Sequence, residues 1–295
     1  MPVTDADVER WLREDLGHHD VTNDVPGETV GRLVATEEGV AAGIDAATAV
    51  FEYLDVPVLE RVADGTALAP DDTALRVQGS AQNVLRAERT AVNVAGHASG
   101  VATATAEAVA AAESAVAAAE SAVAEAEEAV GDADGSPGDK APAIAGTRKT
   151  TPGLRGLEKR AIAAGGGDTH RLDLSHMVMI KDNHVAELGM EAAVERFRER
   201  ASFATRVEVE VETPADAPRA ADAGADVVLL DNMAPDAVAE AVDLVAEAEA
   251  DALLEASGGI TVETVPDYAT TGVDVLSLGS LTHSAPSLDF SFRTG

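Results

Sequence analysis

The sequence predicts an α/β protein in two parts, a small α+β region followed by a parallel α/β barrel. Three observations carry this. From residue 144 onward, short apolar runs alternate with helical segments every 20–25 residues or so, a βα repeat that implies a parallel sheet and most simply a barrel. Over residues 57–78, short apolar runs alternate instead with Asp-Gly and Pro-Asp-Asp turns, the mark of short strands in a small domain. Between the two lies a low-complexity stretch, first Ala/Glu-rich (106–130), then rich in Gly, Pro and Asp (131–143), which reads as a helix and a flexible linker.

The elements follow in order. Residues 4–15 read as a helix capped by Thr4, with Val8, Trp11 and Leu12 on one stripe. EDLGHHDVT (14–22) is a loop, 30–36 and 39–43 are short strands, and a helix spans Asp45 to about Leu54. A long helical stretch runs from about Ala81 to Thr105. In the low-complexity helix, Val109, Val116, Val123 and Val130 recur every seven residues. One modest apolar residue per heptad is too thin for a coiled-coil seam, so a solvated surface helix is expected. Strands are then expected at 177–182, 206–212, 226–232, 252–260 and 273–280, with helices near 190–200, 214–223, 235–249 and 261–270.

Composition narrows the function. Of 295 residues 46% are hydrophobic but only 3% aromatic, so the core is built from small aliphatics. The net charge of −32 argues against nonspecific nucleic-acid binding and against anionic membrane surfaces, both of which need basic surface. Such an excess of acid suits a high-salt cytoplasm, where a screening length of about 3 Å tolerates self-repulsion. There is no cysteine, which excludes disulfides, thiolate catalysis and Cys-based zinc sites. No 18-residue apolar run and no basic-then-apolar leader are seen, so a soluble, cytoplasmic protein is expected.

One segment runs against the acidic background. Residues 146–184 carry seven Lys/Arg against four acids, while the other 256 residues carry −35. Three of the four lysines are here: Lys149, Lys159 and Lys181. A concentrated island of cations in an acidic chain points to a polyanionic ligand. Arg148 and Lys149 pair a planar fork for carboxylates with a point charge for phosphate. His170 and Arg171 follow a run of three glycines. Lys159 reads as structural.

The expected barrel strands end in polar residues. Lys181, Glu210 and Asp231 lie on or end three of them, and Ser257-Gly258-Gly259 and Leu278-Gly279-Ser280 close two more. Barrel active sites lie at the C-terminal ends of the strands, with phosphate often bound after the last two. The two Gly-rich closures therefore read as a phosphate cradle of backbone N–H groups. In RVEVEVE, Glu208, Glu210 and Glu212 share one face of a strand. A barrel strand is covered on both sides, so at least one of them is expected in the barrel mouth. Glu210 with Asp231 suits a hydrated Mg²⁺ or sugar hydroxyls. His18-His19-Asp20 is a weak metal candidate.

On the runs EDLGHHDVT, AERTAVNVAGHASGVATAT, TRKTTPGLRGLEKRAIAAGGGDTHRLDLSHMVMIKDNH, VEVEVET, LLDNM, EASGGIT and GVDVLSLGSLTHSAPSLDFS, in order along nearly the whole chain, the sequence resembles the quinolinate phosphoribosyltransferases (carboxylating nicotinate-nucleotide pyrophosphorylases). The resemblance implies an N-terminal α/β-sandwich over 1–105, completed by about 284–295, an insertion at 106–145, and an incomplete α/β (TIM-like) barrel over 146–283. It implies transfer of phosphoribose from 5-phosphoribosyl 1-pyrophosphate (PRPP) to quinolinate with Mg²⁺ and loss of CO₂. It further implies a homodimer, or dimers assembled into a hexamer. By the same resemblance Arg148, His170, Arg171 and Lys181 grip the quinolinate carboxylates, with Arg89 reaching in from the neighbouring subunit. Lys149 contacts PRPP and Thr147 binds substrate, Glu210 and Asp231 hold the ribose hydroxyls and Mg²⁺, and Ser257, Gly258, Gly259, Leu278, Gly279 and Ser280 cradle phosphate. Two rival readings are a relative using another pyridine base and a catalytically silent nucleotide-binding protein. Both dicarboxylate cations, Arg148 and Arg171, favour quinolinate, and the presence of Lys149, Glu210 and Asp231 favours an active enzyme.

Overall fold

The computed structural model describes residues 2–130 and 140–295, residues 125–130 by backbone alone. The stretch 131–139, most of the expected linker, lies outside the described residues. The elements in chain order are α1 (Asp5–Leu16), β1 (Glu28–Ala35), β2 (Gly39–Val40), α2 (Ile44–Tyr53), β3 (Val58–Arg61), β4 (Ala67–Leu68), β5 (Thr73–Ser80), α3 (Ala81–Val130), β6 (Ala143–Gly146), α4 (Arg155–Ala164) and β7 (Val178–Ile180). They continue with α5 (Asp182–Leu188), α6 (Met190–Arg198), β8 (Val207–Val211), α7 (Asp216–Asp222), β9 (Val227–Asp231), α8 (Pro235–Glu247), β10 (Leu253–Ser257), α9 (Val265–Ala269), β11 (Val275–Leu278), α10 (Ser280–His283) and β12 (Phe290–Thr294). They form two compact units: 1–106 with 150–167 and 281–295, and 107–149 with 168–280.

The first unit holds a four-stranded antiparallel sheet in the order β12-β1-β5-β3. Thr4 caps α1 and forms a reciprocal capping box with Asp7, which satisfies two of the helix's orphan N–H groups. The sheet's apolar face (Leu33, Leu75, Val77) packs on Val8 and Leu12 of α1, Phe51 of α2 and Val84 of α3. Full burial of a side chain such as Phe51 contributes about 2–3 kcal/mol. Phe292 of β12 stacks on Phe51 with ring centroids 5.6 Å apart, so the last strand closes the sheet as the resemblance implied. The run GHASG lies inside α3 without breaking it. A Cβ on Gly100 would come within 1.9 Å of the Pro286 carbonyl oxygen, so glycine there lets the 286–288 segment lie directly on the helix.

Three sequence expectations need correction. The helix at 81–105 and the low-complexity helix at 106–130 are one helix, Ala81–Val130. Its later part is not solvated all round: Ala108, Ala112 and Val116 are buried while Val109 and Val123 are only half-buried, so the buried stripe follows i, i+4 spacing rather than the valine heptad. Finally, residues 150–167 belong to the first unit, not to the barrel. Leu157, Ala161 and Ile162 of α4, a helix the sequence reading missed, form a core with Ala42, Ala46, Val94 and Ala98. Lys159 of the same helix is 2% exposed, in keeping with a structural part. Beside it the fully buried Glu158 accepts from the Thr151 backbone N–H at 3.0 Å and faces His97 Nε2 at 2.8 Å.

The second unit holds six parallel strands in the order β6-β11-β10-β9-β8-β7. Among the described residues β6 and β7 are the two ends and do not pair with each other, β6 making only an isolated bridge from Ala145 to Asp168 in the loop before β7, so this is an incomplete barrel. Strand alternation sorts its side chains. Val209, Val228, Leu230, Leu254, Ala256 and Leu276 are buried and apolar, as positions under covering helices must be. The intervening positions form rows by register. Met179, Glu208, Val227 and Leu253 make one; Glu210, Leu229, Glu255 and Val275 the next; Asp231, Ser257, Ser277 and Ala145 the third.

Candidate active site

The upper rows open into a cleft of about 460 Å³ in the second unit. It is lined by Gly146, Thr147, Arg148 and Lys149 after β6, His170 and Arg171 from the loop before β7, and Met179 and Lys181 of β7 and its end. Glu210, Leu229, Asp231, Asn232, Glu255, Ser257, Gly258 and Ser277 complete it. The cleft therefore gathers ten of the residues proposed from sequence: Thr147, Arg148, Lys149, His170, Arg171, Lys181, Glu210, Asp231, Ser257 and Gly258. The cation island is divided by the fold. Arg148, Lys149, Arg171 and Lys181 line the cleft, while Arg155, Lys159 and Arg160 belong to the first unit.

Local geometry explains how each group is held. The Lys149 backbone N–H donates to Thr147 Oγ1 at 3.1 Å, a short side-chain turn that presents the exposed Lys149 side chain. Lys181 caps α5, and its backbone N–H donates to His184 Nδ1 at 3.0 Å. The Lys181 ammonium forms an ion pair with Glu210. Asp231 accepts from the Asn232 side-chain amide at 2.7 Å, and Asn232 has φ +55°. Gly258 has φ +103°, and a Cβ there would lie 2.3 Å from Asn232 Oδ1; only glycine fits. Its neighbour Gly259 also has positive φ (+70°) and faces open space. Ser257 Oγ donates to the Ser277 carbonyl at 3.3 Å, linking β10 to β11.

The second closure is built differently from the first. Leu278 is fully buried, Ser280 opens the short α10 and donates to the Ile260 carbonyl, and neither these nor Gly279 and Gly259 line the cleft. Leu278 offers only backbone, because its side chain points into the core. Arg89 lies in the first unit, on α3, with its side chain 61% exposed and 4.0 Å from Glu88.

Beneath the cations lies a buried acidic pair that the sequence reading did not single out. Glu208 is fully buried and Glu255 is 3% exposed. His170 Nε2 sits 3.0 Å from Glu255 Oε2 and 3.7 Å from Glu208 Oε2. Both Glu208 oxygens lack a hydrogen-bond partner. Burial, reinforced by the negative Glu255, pushes the Glu208 carboxyl up to about 8. Arg171 is also buried, and desolvation lowers its pKa while Glu208 opposes that shift. Its guanidinium lies against the Met179 sulfur. His170, Glu208 and Glu255 form a group close enough to share a cation, their ligand atoms within 4.8 Å of one another. The buried Arg171 already places positive charge beside them. Period-two alternation in LLEAS would have revealed Glu255, since Leu253, Glu255 and Ser257 share a face. The other candidate, His18-His19-Asp20, does not gather: Asp20 pairs with Arg86 Nε at 2.7 Å, which holds its carboxyl well below the usual range.

Among the described residues no helix is long and apolar enough to cross a membrane. Comparison with known proteins gives concordant matches. The family description "Quinolinate phosphoribosyl transferase, N-terminal domain" matches residues 20–99, and "Quinolinate phosphoribosyl transferase, C-terminal domain" matches 121–293. A protein named probable nicotinate-nucleotide pyrophosphorylase [carboxylating] from Methanothermobacter thermautotrophicus is 38% identical over 293 residues, covering 97% of each chain. One of the same name from Archaeoglobus fulgidus is 38% identical over 281 residues, 94% of this chain and 99% of that one. The crystal structure of NadC from Streptococcus pyogenes superposes with a TM-score of 0.83 at 36% identity, covering 100% of this chain and 99% of that one.

Proposed function

We propose, from the premise that the chain belongs to the quinolinate phosphoribosyltransferase family, that the cleft of the second unit is its active site. The chain is a pentosyltransferase that moves the 5-phosphoribosyl group of PRPP to quinolinate with decarboxylation, giving nicotinate mononucleotide, pyrophosphate and CO₂, a step in de novo NAD biosynthesis. The observation that carries the site assignment is convergence: four Lys/Arg side chains and His170 meet Glu210 and Asp231 in one cleft floored by a glycine turn.

Each group has a place in this chemistry. Arg148, His170, Arg171 and Lys181 bind the two carboxylates of quinolinate, Arg148 and Arg171 by the planar forks that suit them. Thr147 and Lys149 contact PRPP. The backbone at Ser257–Gly259 and Leu278–Ser280 receives phosphate. Glu210 and Asp231 bind the ribose hydroxyls and stabilise the positive charge that grows on the ribose as its bond to pyrophosphate loosens. Lys181 is paired with Glu210 in this structure; quinolinate competes for that ammonium and releases the carboxylate for ribose. Two carboxylates in an open cleft also suit Mg²⁺, which keeps several waters and is usually shared between protein carboxylates and substrate phosphates. Bound there, it would neutralise charge on the departing pyrophosphate.

The same reading makes the enzyme a homodimer, or dimers assembled into a hexamer, with the exposed Arg89 completing the neighbour's site. It places the enzyme in a high-salt cytosol, on the strength of the −32 charge. The test is direct: purified protein in concentrated KCl with Mg²⁺, PRPP and quinolinate is assayed for pyrophosphate and nicotinate mononucleotide. Product from nicotinate but not from quinolinate would overturn the substrate assignment.

A further inference from the structure

Asn232 lines the cleft directly after Asp231, at the end of β9. Its backbone sits at φ +55°, a conformation that few side chains accept and that asparagine tolerates better than most. Its N–H donates to the Ser257 carbonyl at 2.8 Å, which ties the chain leaving β9 to the end of β10. Its side chain packs against the glycine turn there: a Cβ at Gly258 would stand 2.3 Å from Asn232 Oδ1 and 2.9 Å from the Asn232 backbone nitrogen. Seated in this way on the neighbouring strand end, the amide donates to Asp231 Oδ2 at 2.7 Å. Chemistry dictates which way round the amide lies. An ionised carboxylate only accepts, so the NH₂ faces Asp231 and the oxygen faces Gly258.

Asn232 is exposed and Asp231 half-buried. A hydrogen bond at such an open rim adds little to folding stability, because water offers each partner a substitute. Its effect falls on the carboxylate. A donor held on one oxygen restricts rotation of the carboxylate plane, so the group is oriented before substrate arrives and need not reorganise as charge develops. The two carboxylates of the cleft are oriented by different donors: the Lys181 ammonium pairs with Glu210, while a neutral amide holds Asp231. A neutral donor orients Asp231 without cancelling its charge, which suits a group that stabilises a cation. We propose that Asn232 is a positioning residue for PRPP, its side-chain amide holding the Asp231 carboxylate in the orientation that meets the ribose. This rests on the assignment of Asp231 to the ribose hydroxyls made above. Asn232 acts through Asp231 and makes no demand on quinolinate.

The test is steady-state kinetics of the full-length protein and its Asn232→Asp and Asn232→Gly variants, varying PRPP and quinolinate separately, with thermal unfolding of each. Both replacements accept the positive φ. Aspartate keeps the size of the side chain but sets an acceptor against an acceptor. Glycine removes the side chain and lets water donate to Asp231 instead. Asn232→Asp is expected to lower kcat/KM for PRPP roughly tenfold or more and Asn232→Gly roughly threefold to fivefold, with the quinolinate KM changed less than about twofold in both. The unfolding midpoint of the aspartate variant should stay close to that of the parent. A side chain that merely filled space would give the reverse order, with the isosteric aspartate active and glycine impaired. An aspartate variant as active as the parent, a glycine variant more impaired than aspartate, or equal increases in both KM values would each overturn the proposal. The aspartate variant decides alone if the glycine variant does not fold. Failure of the parent protein to turn over quinolinate, or an Asp231→Ala variant as active as the parent, would instead overturn the active-site reading, so the two failures are distinguishable.

Discussion

Replacing Glu208 by glutamine should make the protein more stable in alkali and change little in acid. Glu208 is fully buried one row below Glu210, with Glu255 as its acidic neighbour and both oxygens unpartnered. Its carboxyl is raised from the ordinary 4.5 to about 8. The fold therefore favours the protonated acid. This contribution is present in full below about pH 4.5, where the unfolded chain is also protonated, and is lost as pH rises through about 8. Converted at about 1.4 kcal/mol per pH unit, the full rise amounts to at most about 5 kcal/mol. Relaxation and screening around a buried carboxylate discount that figure, so replacing Glu208 is expected to recover roughly 2–3 kcal/mol of it. Glutamine has the shape of the protonated acid and no charge to lose. Urea or thermal unfolding of parent and Glu208→Gln in concentrated KCl at pH 5 and pH 9 measures the difference. The two proteins should be nearly equal at pH 5, with the variant ahead by roughly 2–3 kcal/mol at pH 9. A stability difference that is the same at both pH values, or one favouring the parent at pH 9, would refute the reasoning.

Other outcomes follow from the site. Lys149→Ala and Lys181→Ala should each lower kcat/KM at least tenfold, a loss of about 1.4 kcal/mol or more of transition-state stabilisation, and near-parental rates in either would remove its assigned role. Arg89→Ala and Lys149→Ala should each be impaired alone, yet a refolded equimolar mixture should regain about a quarter of parental activity, because mixed dimers carry one intact site in two. No recovery would place Arg89 in the cleft of its own subunit or outside any. In circular dichroism the folded signal should fall as KCl is lowered from molar to millimolar concentration, since screening of the −32 charge is withdrawn; a flat titration would dismiss the high-salt reading.

Much of this was legible in the residues. The βα period placed the barrel strands, and their polar ends placed Lys181, Glu210, Asp231, Ser257 and Gly258 together, because strand order and strand direction alone decide which ends share a rim. The rest depended on tertiary partners. The stripe Leu157, Ala161, Ile162 shows that α4 has an apolar face, but nothing local says that the face meets Ala42 and Ala98 rather than the barrel. Nothing local marks Gly96 and Gly100 as contact points in α3; they become so only because the 286–288 segment returns across the helix. Lys181 and Glu210 looked like two independent ligands; their pairing follows from β7 lying beside β8. Glu255 stood in the open, a single acid in an apolar strand, and its pairing appeared only when the loop from Asp168 brought His170 to it.

The central claim, a decarboxylating phosphoribosyl transfer carried out in this cleft, is tested most directly with quinolinate labelled with ¹³C in its 2-carboxylate. With PRPP and Mg²⁺ the parent protein should release one labelled CO₂ for each pyrophosphate, and Asp231→Ala should suppress both together. Pyrophosphate released without labelled CO₂, or an Asp231→Ala variant as active as the parent, would contradict the account.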